Sequence, residues 1–150
     1  MTIDPNRIEL WHRVVNAAQR IENLEAALGA SLPVAYRTFL RSHREEPSRP
    51  VRVVSTNPDY WDVSCIFEIG DAESYLQVDH CYALVADVLP DGMLPVGEDQ
   101  GGNLYLLDCR TGPSTGAVYW WDHEQELGED RVSLVATSFP EFLAALVPDS

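Results

Sequence analysis

The chain predicts an α+β fold, a mainly antiparallel or mixed sheet with N-terminal and C-terminal helices packed against it. Three observations carry that expectation. Apolar residues recur at three- and four-residue steps near both ends of the chain, the spacing of an amphipathic helix. Between them lie short runs rich in β-branched and aromatic residues, bounded by Gly, Pro and Asp. The most strongly patterned of these, Asn103 to Asp108 and Ala117 to Asp122, form a strand–loop–strand pair whose connection is too short for a parallel crossover, as in antiparallel neighbours.

The elements follow in order. Asp4 and Pro5 make an N-cap and first-turn signature. Ile8, Trp11, Val15, Ala18, Ile21, Leu24 and Leu28 then form one apolar stripe, ended by Gly29. The stripe fits one long helix or two meeting near Gln19. A second helix runs from Pro33 to about His43, with Tyr36, Phe39 and Leu40 inward, and the polar, proline-bearing stretch Arg44 to Pro50 is a loop. Val51 to Ser55 and Val63 to Ile69 read as strands around a turn from Thr56 to Tyr60. Gly70 and Asp71 introduce a helix reaching Leu89, with Val78, Tyr82, Val85 and Leu89 on one face; Asp79 and His80 are also compatible with a break. Pro90 to Gly92 ends it and leads into the hairpin.

In that hairpin Leu104 and Leu106 share one face and Tyr105 and Leu107 the other, while Val118 and Trp120 oppose Tyr119 and Trp121. Both faces are apolar, so the pair belongs at the covered centre of the fold. Val132, Leu134 and Ala136 alternate as a last strand. Ser138 and Glu141 form a capping box that opens a terminal helix from Phe139 to Val147. There is no internal repeat, low-complexity tract or linker, and residues 1–150 read as a single domain.

Composition limits the function classes. A domain of 150 residues buries roughly 68–70% of the surface that its unfolded chain exposes, enough for a core without disulfide or metal staples. No apolar run is long enough for a membrane helix, and the N-terminus lacks the basic start and apolar stretch of a signal peptide. Cys65, Cys81 and Cys109 are odd in number and far apart, with no CxxC pair. They read as reduced thiols of a cytoplasmic protein, with neither a zinc site nor any other cofactor implied.

Charge is distributed unevenly. Residues 1–50 hold seven arginines against six acids, net +1; residues 51–150 hold three against eighteen, net −15; together these give the chain's −14. Every cation is arginine. The densest run is Asp122 to Asp130, with five carboxylates in nine residues. Such a field repels nucleic acid and membrane phosphates and speeds encounter with a basic protein. It also does nothing more than keep many proteins soluble, which is the bland reading of the same residues. No nucleic acid or membrane partner is expected on either reading.

Three motifs suggest chemistry and lose it in context. Gly112-Pro113-Ser114-Thr115-Gly116 matches the G-x-S-x-G nucleophile elbow, but an elbow runs from strand into helix. Here strand-forming AVYWW follows. Ser114 is expected to be an ordinary loop residue, replaceable by alanine at no cost to stability. The Glu98 to Asn103 loop lacks EF-hand spacing, and its acids repel phosphate. Asp122, His123 and Glu124 have metal-ligand chemistry, but neighbours on a strand point to opposite faces. No catalytic residue and no metal site is assigned.

What the acids surround is aromatic. Glu98, Asp99, Asp108, Asp122 and Glu124 rim a ribbon containing Trp120 and Trp121. Alternation puts one tryptophan in the core and turns the other away, and an exposed Trp beside carboxylates is a natural binding anchor. The candidate partner-binding residues are therefore Asp99, Trp120, Trp121, Asp122, Glu124, Glu126, Glu129 and Asp130. Tyr60 and Trp61, between Asp59 and Asp62, form a second candidate of the same type, while Trp11 belongs to the first helix stripe.

Four segments also carry a family resemblance: IENLEAALGASLPVAYRTFL (Ile21 to Leu40), LPDGMLPVGEDQGGNLYLLD (Leu89 to Asp108), VYWWDHE (Val118 to Glu124) and SFPEFLAAL (Ser138 to Leu146). In this order they resemble the SUKH superfamily of Smi/Knr-like proteins. One departure is local: His43 to Pro47 stands where the family often has an Asn-Gly-Gly-like turn. The resemblance implies a non-enzymatic binding protein of α+β fold. Bacterial members are typically immunity proteins that neutralise toxin domains, often nucleases, and fungal members are regulatory. The expectation is an immunity protein for a basic toxin domain; the alternative is a regulatory adaptor of the same fold without a toxin partner.

Overall fold

The computed structural model describes residues 17–41, 51–53, 61–69, 74–122 and 132–148. Helix α1 spans Ala17–Leu28 and buries Ile21, Leu24 and Leu28 of the predicted stripe, whereas Ala18, also expected on it, is exposed. Asp4, Ile8, Trp11 and Val15, and with them the choice between one helix and two, lie outside the described residues. Gly29 caps α1, its amide reaching the Glu25 carbonyl at 2.9 Å. Helix α2, Val34–Arg41, begins after Pro33 and buries Tyr36, Phe39 and Leu40. The corner between the two helices is clamped by Glu25, whose carboxylate accepts the Leu32 amide and an Arg37 guanidinium N–H, each at 2.7 Å.

The strands form two sheets. Strands β1 (Val51–Val53), β2 (Trp61–Val63) and β8 (Leu146–Pro148) make an antiparallel three-stranded sheet with β1 central. Strands β3 (Cys65–Ile66), β4 (Met93–Glu98), β5 (Leu104–Asp108), β6 (Val118–Trp121) and β7 (Val132–Ala136) follow one another across an antiparallel five-stranded sheet. The predicted hairpin is β5–β6, with Leu104 opposite Trp121 and Leu106 opposite Tyr119. Its strand β5 is the middle strand and is buried along its whole length. The α+β expectation holds.

Helix α3 (Val78–Val85) follows a 3₁₀ turn at Ser74–Leu76, and helix α4 (Phe139–Ala144) precedes β8. The aromatic core joins these layers. The ring of Phe139 on α4 packs edge-on against Tyr36 (4.8 Å) and Phe39 (5.0 Å) of α2, while Phe142 meets Tyr105 of β5 at 5.4 Å. Ser138 caps α4 by accepting the Glu141 amide at 3.1 Å, half of the predicted capping box. The carboxylate of Glu141 bonds the Thr137 hydroxyl.

Several boundaries differ from the sequence reading, each for a physical reason. The segment Val63 to Ile69 is two short strands in different sheets, parted at Ser64. The helix expected to reach Leu89, with a break near Asp79 and His80 left open, is interrupted at Gln77, which pairs with Glu68 as an isolated bridge after the 3₁₀ turn. The helix proper runs from Val78 only to Val85. Met93–Glu98 is a full strand despite Pro95 and Gly97. Its register shifts between Pro95, opposite Leu106, and Gly97, opposite Tyr105, a bulge that leaves Val96 without a partner on β5. At Gly97 a Cβ would sit 2.8 Å from the Cys65 carbonyl oxygen, so only glycine lets β3 approach. The terminal helix stops at Ala144, and Leu146–Pro148 joins β1 as a strand. On β7, Leu134 faces solvent while Val135 and Ala136 are buried, because the pairing with β6 shifts between Val118 and Tyr119.

Candidate functional site

The acid–aromatic corner is built by the β4–β5 turn. The Asp99 carboxylate accepts the Gly101 amide (2.9 Å), the Asn103 amide (2.8 Å) and the Asn103 side-chain amide (3.0 Å). This is the Asx-type turn chemistry that Asp supplies through its short side chain. Its fourth partner comes from two strands away: the Trp120 indole N–H donates to Asp99 Oδ2 at 3.0 Å. Asp99 is therefore a staple that sets the orientation of Trp120 rather than a bare rim charge.

The two tryptophans separate as alternation requires. Trp121 is buried, in register with Leu104, whereas Trp120 is half-buried between Tyr105 on β5 and Ser133 on β7. Asp122 follows directly and is half-buried. Glu124, Glu126, Glu129 and Asp130 lie outside the described residues, as do Asp59 and Tyr60 of the second aromatic candidate. Trp61 and Asp62 of that candidate fall on β2, opposite Val53 and Arg52. The structure thus brings together Asp99 and Trp120, with Asp122 two residues beyond on the same chain.

Asp108 departs from its expected place on the rim. It is fully buried at the end of β5. Its carboxylate accepts Arg110 N–H groups from the backbone (2.9 Å) and from Nε and Nη2 (both 3.0 Å), and the Ser114 hydroxyl at 2.8 Å. Burial alone raises its pKa, but the bonds from Arg110 and Ser114 outweigh that and hold it below the usual carboxylate range. Ser114 is thus a structural ligand of a buried acid, which corrects the expectation that it is an idle loop residue. Its hydroxyl is committed to that acid, and no helix follows it, so the elbow geometry is absent. Gly92 admits the arrangement, since a Cβ there would meet Arg110 Cγ at 2.5 Å. The Asp-x-Arg spacing directly after a strand was the available signal for this cluster.

The thiols are quiet. Cys65 donates to Glu98 Oε1 at 3.5 Å, and burial together with that carboxylate pushes its pKa up to about 12. Burial, with Asp108 second, takes Cys109 to about 12, and burial with Glu98 takes Cys81 to about 11. These are weak nucleophiles and poor metal ligands at neutral pH. Among the described residues no group of three or more His, Cys, Asp or Glu side chains is placed to hold a metal ion. No helix among them is long and apolar enough to cross a membrane.

The SMI1 / KNR4 family (SUKH-1) matches residues 17–145, from the first residue of α1 to just beyond α4. The chain belongs to this family. Among the described residues the match spans four helices, the five-stranded sheet, and β1 and β2 of the other sheet, in agreement with the four segments that suggested the superfamily. A Bacillus subtilis (strain 168) protein described as "SPbeta prophage-derived uncharacterized protein YokK" is 25% identical over 164 aligned residues, covering 99% of this chain and 81% of that protein. No solved structure matches the chain. Members of this SUKH-1 family typically bind protein partners.

Proposed function

We propose that this SUKH-1 protein is a non-enzymatic immunity protein that binds and neutralises a basic, nuclease-type toxin domain in the cytoplasm. The observation that carries the reading is the Asp99–Trp120 bond. It fixes a half-buried aromatic ring on the strand from which the carboxylate-rich sequence Asp122 to Asp130 continues. A held aromatic anchor beside a negative field is what a basic surface needs: the ring supplies desolvated contact, and the field supplies steering. The net −15 of residues 51–150 opposes nucleic acid and favours a protein that itself binds nucleic acid.

The candidate contact set is Asp99, Trp120, Asp122, Glu124, Glu126, Glu129 and Asp130, with Trp121 supporting from within the core. Neutralisation here needs no chemistry by this chain, because occupying a basic groove excludes its substrate. The test is co-expression with the variable C-terminal domain of a secreted protein encoded beside this gene. Rescue of growth by this chain, and loss of rescue when Trp120→Ala is combined with neutral amides at Glu124, Glu126, Glu129 and Asp130, is the expected result. Binding partners that are uniformly acidic or non-toxic would point instead to an adaptor role.

A further inference from the structure

We infer that the outer edge of β7 docks an extended, basic segment of a partner protein as an added strand. This rests on the immunity reading for the sign of the partner's charge, but the strand geometry stands by itself. β7 is the terminal strand of the five-stranded sheet, and among the described residues its backbone has no partner on the side away from β6. Unpaired N–H and C=O groups of an edge strand bind another extended backbone unless something prevents it. The usual preventions are charge or proline on the edge, and β7 reads Val-Ser-Leu-Val-Ala. Leu134 stands 49% exposed in mid-strand, ready to pack on the neighbouring side chain of an incoming strand.

The other edge of this sheet is unlike it. β3 is two residues long, too short to template a strand. On β7 the bulge falls between the partners of Val118 and Tyr119, leaving Val132, Ser133 and Leu134 in regular register opposite Trp121, Trp120 and Tyr119. Ser133 lies beside Trp120, so an added strand passes next to the held ring. The sign of the occupant follows from charge. The connection that leaves β6 at Trp121 and enters β7 at Val132 carries five carboxylates and one arginine. A second copy of this chain is itself net −14 and is repelled by that field, whereas an arginine- or lysine-bearing strand gains attraction there.

The test uses the full chain, isotope-labelled, with a short synthetic peptide alternating arginine and valine as the probe. Expected are shifts and slowed amide exchange at Val132, Ser133, Leu134 and Val135, lost when the peptide backbone is N-methylated or when glutamate replaces its arginines. Leu134→Lys, at an exposed position, should abolish these changes while leaving the melting temperature unaltered. Changes that survive N-methylation would mean charge contact without strand pairing and would overturn the proposal. So would protection of β7 that appears without peptide as protein concentration rises, which would make a second copy the occupant. A cognate toxin domain that binds Leu134→Lys as tightly as the parent would refute edge docking and leave the immunity reading standing. Failure to bind any toxin domain, with peptide binding intact, would do the reverse.

Discussion

Asp108 organises the loop that follows its own strand. One buried carboxylate holds Arg110, Ser114 and thereby the loop between β5 and β6. Hydrogen bonds to a charged acceptor contribute about 1.5–3 kcal/mol each. Because Ser114 is on the exposed loop and water can partly replace its hydroxyl, Ser114→Ala should cost about 1.5 kcal/mol, read from denaturant unfolding. An unchanged midpoint would show that Arg110 alone satisfies the acid. The same residue sets a limb of the pH profile. Asp108, Asp79 and Glu25 all lie below the usual range despite the opposing effect of burial, Asp79 through its paired Arg20 contacts at 2.8 Å. A lowered folded pKa gives stability that is present above the unfolded value, about 4, and is lost as pH falls through the folded value. The thiols act at the other end. Their raised folded values, about 11 to 12, leave stability intact below the unfolded value, about 8.5, and remove it progressively above. Melting temperature against pH should therefore show a plateau between roughly pH 5 and 8, with decline on both sides. Alanine at all three cysteines should flatten the alkaline decline.

At the scale of elements, legibility followed the cause of each structure. Helices α1 and α2 were readable because one-sided burial imposes a period on sequence, which Ile21, Leu24 and Leu28 obey. The β5–β6 pair was readable because burial on both faces leaves an unbroken apolar run such as Leu104 to Leu107 between turn residues. Strand β4 was not readable, since its bulge at Val96 and the close approach at Gly97 are tertiary facts that leave no local period. The Leu146–Pro148 strand was hidden in the same way: helix signals ran straight on, and only the presence of β1 makes it a strand. Trp120 and Asp99 were both named from sequence, but the bond between them spans 21 positions and no spacing rule reports it. Two substitutions probe this layer. Leu106→Ala, at a fully buried position on the central strand, should cost about 2–5 kcal/mol. Gly97→Ala forces backbone against backbone between β3 and β4 and should cost about 1–3 kcal/mol. Chemical denaturation measures both. A Gly97→Ala protein as stable as the parent would mean that β3 can move aside freely.

For the molecule as a whole, charge and shape act on different rates. Screening falls off over about 8 Å at physiological salt, so the field of a net −14 chain is felt mainly during approach. Close contacts at a held aromatic ring act after arrival. Neutral amides at Glu124, Glu126, Glu129 and Asp130 should therefore lower the association rate for a cognate basic domain and flatten its salt dependence, with little change in dissociation. Trp120→Ala should do the opposite, speeding dissociation at nearly constant association. Asp99 discriminates between the two roles, because the structure makes it a positioning residue for Trp120. Asp99→Asn keeps only one acceptor oxygen, where Oδ1 accepts the Gly101 and Asn103 amides and Oδ2 accepts the Asn103 side chain and the Trp120 indole. Its amide nitrogen must then face donors, so it should speed dissociation, though less than Asp99→Ala. Asp99→Ala frees the ring and should resemble Trp120→Ala in dissociation. Stopped-flow binding across a salt series separates these outcomes. If Asp99→Ala instead tracks the glutamate amides, slowing association alone, then Asp99 acts as a steering charge and the Asp99–Trp120 bond does not organise the site.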